Sequence, residues 1–248
     1  MNLKNGVSLV LSGGAARGAF HLGILQALDE LKIPVREISG ASIGAIVGAF
    51  YLAGKTPVEI FDFFDSNKFR EVLKFNIHKG SLFRVDMENE LFNDMLCGVK
   101  NIEELSRPLY VSVTDIKKGV VTYNNSGDIK KLVYASGALY PIFGLIDINE
   151  GRFIDGGLMD NFPIQPLLDT KYPILGSNLH PNVYNPKQST AKRALFLTSM
   201  MHGLEEKIKR CAYYISPAEL TNYNILSLKK LDGLFNLGYN EVKKVLAS

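Results

Sequence analysis

Ser39-Gly40-Ala41-Ser42-Ile43-Gly44 decides the reading of this chain. It carries the pattern Gly-x-Ser-x-Gly between a short run with apolar ends, Val35-Arg36-Glu37-Ile38, and the apolar stretch Ala45–Ala53. The run predicts a strand and the stretch a buried helix, so the serine falls on the tight turn between them. That context distinguishes a nucleophile elbow from a chance match. A serine at the apex of a strained turn needs neighbours without bulk, and Gly40 and Gly44 supply them. A helix starting at the serine adds free N–H groups and a partial positive charge beside a developing oxyanion. The plainer alternative is a loop with a helix N-cap.

Working outward toward the N-terminus, Val7–Leu11 reads as a buried strand, and Ser12-Gly13-Gly14-Ala15-Ala16-Arg17-Gly18 follows it. Phe20, Leu22, Ile24, Leu25, Leu28 and Leu31 then recur at helical spacing until Pro34. Strand, helix, strand is a βαβ unit, so the two strands are expected parallel and adjacent. The glycine-rich turn has two readings. A dinucleotide fingerprint needs Gly-x-Gly-x-x-Gly and a later acid; Gly13, Gly18 and Glu37 fit, but Ala15 holds the middle position. No Gly-Lys-Ser/Thr follows, as a phosphate-binding Walker loop would require. The other reading is an oxyanion hole, because consecutive small residues at a helix N-terminus aim several N–H groups at one point. Arg17 then faces an anionic substrate or bridges to a carboxylate of the scaffold.

Toward the C-terminus, Thr56-Pro57-Val58-Glu59 forms a capping box with proline at the first helical position. Phe61, Phe63 and Phe64 follow as core candidates. The stretch 69–84 has weak periodicity and reads as a mobile cover, and Asp86 as the cap of a helix to about Leu96. Leu109–Val113 and Val120–Tyr123 are expected strands about a turn, and Ile129–Ala135 a helix. Leu145–Ile148 and Arg152–Ile154 flank Asn149-Glu150-Gly151 as a hairpin. That hairpin delivers Asp155-Gly156-Gly157, a carboxylate just past a strand with two glycines that let it approach a partner. The competing reading is an ordinary Asx turn. Further on, Ile174–Leu179 and Tyr213–Ile215 read as strands, 180–190 as a polar loop, Ala194–Ile208 as one helix and Tyr239–Leu246 as a closing helix.

The 248 residues are 46% hydrophobic, enough for a substantial core in one α/β domain spanning 1–248. A net charge of +3 is too small to imply nucleic acid, while it would not oppose transient contact with an anionic membrane surface. Two cysteines, Cys97 and Cys211, make no disulfide framework and read as buried free thiols suited to a reducing compartment. No stretch has the length of a signal or membrane-spanning segment, so a cytoplasmic protein is expected.

Three islands, in this order, resemble the patatin-like phospholipases: Gly13-Gly14-Ala15-Ala16-Arg17-Gly18, Gly40-Ala41-Ser42-Ile43-Gly44 and Asp155-Gly156-Gly157. Smaller stretches agree: Val113-Thr114-Asp115 with Gly119, Ala135-Ser136 with Pro141 and Phe143, and Asn161 with Pro163. The resemblance covers about residues 6–165. It implies a three-layer α/β patatin-like fold with a central, mostly parallel sheet flanked by helices. It also implies a lipid acyl hydrolase of the phospholipase A or lysophospholipase type, acting on a lipid or phospholipid ester without cofactor or metal. The family's nucleophile falls on Ser42 and its aspartate base on Asp155. Its oxyanion loop falls on Gly13, Gly14 and Ala15, where Ala15 replaces the family's third glycine. Arg17 and Gly18 match the end of that motif, with Gly40, Gly44, Gly156 and Gly157 in support. Two alternatives stay open. One is a Ser-His-Asp hydrolase with His180 or His202 as base, since the order Ser, Asp, His is satisfied. The other is a catalytically silent relative that binds lipid.

Overall fold

Residues 3–66, 73–75, 83–85 and 90–247 are described by the computed structural model. The apolar run Val7–Leu11 forms β1, buried along its whole length, as a strand covered on both faces must be. A 3-10 turn, Ala15–Gly18, leads into α1 (Ala19–Glu30), and β2 (Val35–Ala41) returns parallel to β1 with Leu11 opposite Gly40. β2 runs three residues past its expected end, so Ser39, Gly40 and Ala41 are strand and the turn is confined to Ser42. α2 (Ile43–Leu52) and α3 (Pro57–Asp65) follow. The expected capping box at Thr56 is present, with Thr56 Oγ1 accepting from Glu59 N and the Glu59 carboxylate accepting from Thr56 N. Phe63 and Phe64 are buried against Phe50, at ring-centroid distances of 5.8 and 6.3 Å.

A separate antiparallel pair, β3 (Leu73–Phe75) and β4 (Phe83–Val85), precedes α4 (Glu90–Met95). Most of the stretch read as a cover, and the Asp86 cap, lie outside the described residues. The main sheet continues with β5 (Leu109–Asp115) and its antiparallel partner β6 (Val120–Asn124). After α5 (Ile129–Ser136) come the hairpin strands β7 (Ile146–Ile148) and β8 (Gly151–Asp155). β9 (Ile174–Ser177), α6 (Thr190–Phe196), α7 (Leu204–Ile208), β10 (Tyr213–Ile215) and α8 (Leu231–Ala247) complete the chain. The strand order is β10-β9-β1-β2-β5-β8-β7, with β6 also pairing β5. β10, β9, β1, β2 and β5 are mutually parallel, β6 and β8 run antiparallel to β5, and β7 runs antiparallel to β8. This is the mostly parallel sheet that the sequence led us to expect, with helices packed on it.

Three expectations are corrected. Residues 194–208 are not one helix: α6 passes into a π-helical turn, Leu197–Met201, and the chain restarts at Gly203, whose φ is +67°. The closing helix begins at Leu231 rather than Tyr239. Cys97 is exposed and Cys211 half-buried, so only the second approaches the expected burial. Among the described residues no helix is long and apolar enough to cross a membrane.

α8 lies so close on α1 that only glycine fits at two crossing points. A Cβ on Gly238 would stand 2.1 Å from the Phe20 carbonyl oxygen, and one on Gly23 1.9 Å from that of Phe235. Gly238→Ala is therefore expected to lower stability by about 1–3 kcal/mol, since backbone cannot yield as a side-chain tip can. Thermal unfolding followed by circular dichroism should show a melting temperature lower by several degrees. An unchanged or raised value would contradict the close packing.

Candidate active site

The strand-to-helix turn at Ser42 is strained. Its φ of 53° and ψ of −124° lie outside the regions that L-residues favour, a cost of about 1–3 kcal/mol. The surroundings hold it there. Ser42 N donates to Ser136 Oγ at 2.8 Å, and Ser42 O accepts from Ala45 N and Ile46 N at 3.0 and 3.2 Å. Gly40 and Gly44 pack where no side chain fits: a Cβ on Gly44 would lie 2.2 Å from Leu11 O, and one on Gly40 2.6 Å from Ala45 N. Gly18 is pressed in the same way against Ile43, at 2.2 Å. The βαβ unit thus locks its second turn against its first strand.

Asp155 closes β8, opposite Val113 on β5, level with the end of β2. Ser42 Oγ donates to its Oδ2 at 2.7 Å, and Gly157 N donates to its Oδ1 at 2.7 Å. The main chain is fixed on both sides, with Asp155 N donating to Ala138 O and Asp155 O accepting from Thr114 Oγ1. Only 4% of Asp155 is exposed. Burial raises its carboxyl from 3.8 to about 6, against the opposing pull of the bonds from Ser42 and Gly157. Gly156 sits against the Ser112 carbonyl, 2.2 Å from an added Cβ. Asn161 is wedged between the aspartate turn and the first loop: its Oδ1 would be 2.5 Å from a Cβ on either Gly157 or Gly13.

The loop after β1 reaches the serine, for a Cβ on Gly13 would stand 3.0 Å from Ser42 Cβ. Gly14 and Ala15, the N-cap and first residue of the 3-10 turn, stand where helical N–H groups have no intrahelical acceptor. Further along, Ala16 N donates to Ile225 O and Arg17 N to Gly14 O. Ala15 has a φ of +48°, where glycine would be at ease. Arg17 does neither of the things the sequence led us to expect. Its guanidinium donates to the carbonyls of Tyr223 and Leu179, pinning two C-terminal segments beneath the loop.

A family model for patatin-like phospholipases matches residues 9–168, the span that holds the first loop, Ser42, Ser136, Asp155 and Asn161. The chain belongs to the patatin-like phospholipases. It is 27% identical to lysophospholipase nte1 of Aspergillus fumigatus over 97% of its own length, and 32% identical to lysophospholipase NTE1 of Cryptococcus neoformans over 65%. It spans only 18% and 10% of those two relatives. Among solved structures it resembles VipD from Legionella pneumophila, with a TM-score of 0.56 at 16% identity, covering 98% of this chain and 67% of VipD. That likeness speaks for the fold.

Within this patatin-like chain the three histidines among the described residues have assignable places. His21 is fully buried in α1. Its Nε2 lies 2.9 Å from Ser12 O, which can only accept, so Nε2 carries the hydrogen and Nδ1 accepts from Ser177 Oγ at 2.8 Å. Burial, with a smaller contribution from His180, pushes His21 down to about 4, and it is neutral near pH 7. His180 is bonded to the main chain of Gly13 and is likewise held at about 4, chiefly by burial and then by Arg17. His202 lines a small cavity with Met159, Asn161 and Met200. The partner of the Ser42 hydroxyl is Asp155. Glu37, which a dinucleotide site would need, instead accepts the hydroxyls of Ser8 and Thr170. Sequence reasoning quoted the stretches holding Ser136 and Asn161 without giving either a role, and missed that of His21; their partners lie far away in the chain. Among the described residues no cluster of three His, Cys, Asp or Glu side chains could hold a metal.

Proposed function

We propose that this patatin-like chain hydrolyses acyl esters of lipids, with lysophospholipids as the substrate class, through Ser42 and Asp155. The observation that carries the reading is the 2.7 Å bond from Ser42 Oγ to Asp155 Oδ2 at a strained elbow. The NTE1 relatives, named lysophospholipases, favour the substrate class. In the reaction Ser42 Oγ attacks the ester carbonyl while its proton passes to Asp155. The tetrahedral oxyanion is received by the amides of Gly13, Gly14 and Ala15. The proton on Asp155 then goes to the departing alkoxide, leaving the acyl group on Ser42. Water attacks that acyl-enzyme with Asp155 again as base, releasing fatty acid and restoring the serine. The Ser42 amide already donates to Ser136, which leaves the first loop as the donor set. Lipid substrate also implies that the chain meets a membrane or micelle surface.

Purified protein is expected to release fatty acid from lysophosphatidylcholine and nitrophenol from a short-chain nitrophenyl ester. A folded protein inactive on both would overturn the reading.

Ala15 gives a second test. A non-glycine residue at its φ costs roughly 1–2 kcal/mol, which glycine avoids while losing more chain entropy on folding. Ala15→Gly should therefore change stability little and keep or raise kcat on the nitrophenyl ester. A loss beyond tenfold would mean the loop needs the alanine for another purpose.

A further inference from the structure

Exposed apolar side chains are not spread evenly over this molecule. Among the described residues the four most exposed large hydrophobics are Tyr184 at 71%, Leu226 at 70%, Leu195 at 68% and Met159 at 51%. All four belong to segments on one edge of the sheet. β1, β2 and β9 are parallel and in register, with Leu11 opposite both Gly40 and Ser177, so the chain leaves all three strands on the edge that carries Ser42. Tyr184 and Leu195 lie in the segment that leaves β9. Met159 follows the Asp155 turn, and Leu226 adjoins Ile225, whose carbonyl holds the amide of Ala16. α6 and its π-helical continuation, Thr190–Met201, bury no residue at all. A helix in that state contributes little to a core, and its apolar surface is available to a partner.

The charge of the same segment says what that partner is. From Tyr172 to Leu204 the sequence holds no Asp or Glu, but it holds Lys187, Lys192 and Arg193. Arg193 bonds to Asn182 and to Val183 O, so its charge ties α6 to the Tyr184 loop without a carboxylate. Apolar side chains beside uncompensated bases are what an interface of anionic lipid recognises: side chains enter the headgroup boundary while the bases meet phosphate. We infer that the helix Thr190–Met201, with Tyr184, Met159 and Leu226 around it, docks the chain onto an anionic phospholipid bilayer and sets the Ser42 edge against the lipid. The choice of lipid as occupant is carried by exposure and charge and agrees with the proposed hydrolase reading, on which only the link to Ser42 rests.

The test separates the two. The chain has no tryptophan, so Leu195→Trp in a Ser42→Ala background carries a single reporter and no nucleophile. Vesicles of brominated phosphatidylcholine with phosphatidylglycerol should quench and blue-shift its emission. A reporter introduced as Leu31→Trp, at a position 43% exposed at the C-terminal end of α1, on the opposite edge of the sheet where β1 and β2 begin, should be unaffected. Lys192→Glu with Arg193→Glu should weaken sedimentation with the anionic vesicles at least about tenfold, and sedimentation with pure phosphatidylcholine much less. Absence of quenching in the Leu195→Trp protein, equal quenching of both reporters, or binding indifferent to the charge reversal would overturn the inference. Quenching in the Leu195→Trp protein together with an inactive wild-type enzyme would keep the docking surface and overturn the hydrolase.

Discussion

Ser42→Ala protein will lose ester hydrolysis by at least about a thousandfold in kcat, because the proposed scheme has no second nucleophile. A fluorophosphonate probe should label the wild type and leave the variant unlabelled. The loss should not come from unfolding, and stability offers an independent check. Alanine keeps a Cβ at φ 53°, ψ −124°, and it also removes the hydroxyl that donates to the buried Asp155 carboxylate. An unpaired buried acceptor costs about 1–3 kcal/mol. Ser42→Gly loses the same hydroxyl and about 0.5–1 kcal/mol more chain entropy, but relieves backbone strain of about 1–3 kcal/mol. Both variants are thus expected inactive, with the glycine variant melting several degrees above the alanine variant. Equal melting temperatures would show that the strain stored at the elbow does not exceed the extra chain entropy glycine loses on folding. Full-strength labelling of either would remove Ser42 from the reaction.

The parts of the fold legible in the sequence are those written in local chemistry. β1 is an apolar run after Gly6, the start of β2 carries Val35 and Ile38 just after Pro34, and a βαβ unit leaves their relative direction no freedom. Thr56 and Glu59 announce a helix start because both partners of the capping box lie within one helical turn. The turn holding Asp155 was legible because its hairpin is short. What escaped the sequence depends on groups far apart. Gly233 and Gly238 argue locally against a helix, yet α8 begins at Leu231 because α1 packs against bare backbone at Gly238. Apolar spacing runs on from Ala194 to Ile208, but the helical stretch ends at Met201, His202 leaves the helical region and left-handed Gly203 caps the next helix. The acceptors of Arg17 are carbonyls of Leu179 and Tyr223, far along the chain, which no motif encodes. His21 likewise meets Ser177 only because β9 pairs with β1.

Asp155→Asn should lower ester hydrolysis by orders of magnitude, since an amide cannot take the serine proton, while His180→Ala and His202→Ala stay within about tenfold of wild type, or roughly 1.4 kcal/mol of barrier. Two pH signatures accompany this. The base must be ionised, and burial sets Asp155 at about 6, so wild-type kcat/KM on a soluble ester should rise with pH through about 6 to a plateau. Stability should move the other way. The folded value lies above the unfolded 3.8, so folding favours the neutral acid, and wild type loses stability as pH rises from about 4 through about 6. A shift of that size corresponds to about 3 kcal/mol at most. The side-chain amide of Asp155→Asn is never charged, so this variant's melting temperature should gain on wild type between about pH 4 and 6 and keep that gain above it. A catalytic carboxylate held at a cost to the fold predicts both effects from one substitution. Retained activity in Asp155→Asn would exclude Asp155 as the base. An inactive Asp155→Asn protein whose melting temperature tracks wild type at every pH would show that the carboxylate is not destabilised by its burial. Loss of activity in a folded histidine variant equal to that of Asp155→Asn would replace the dyad with a triad.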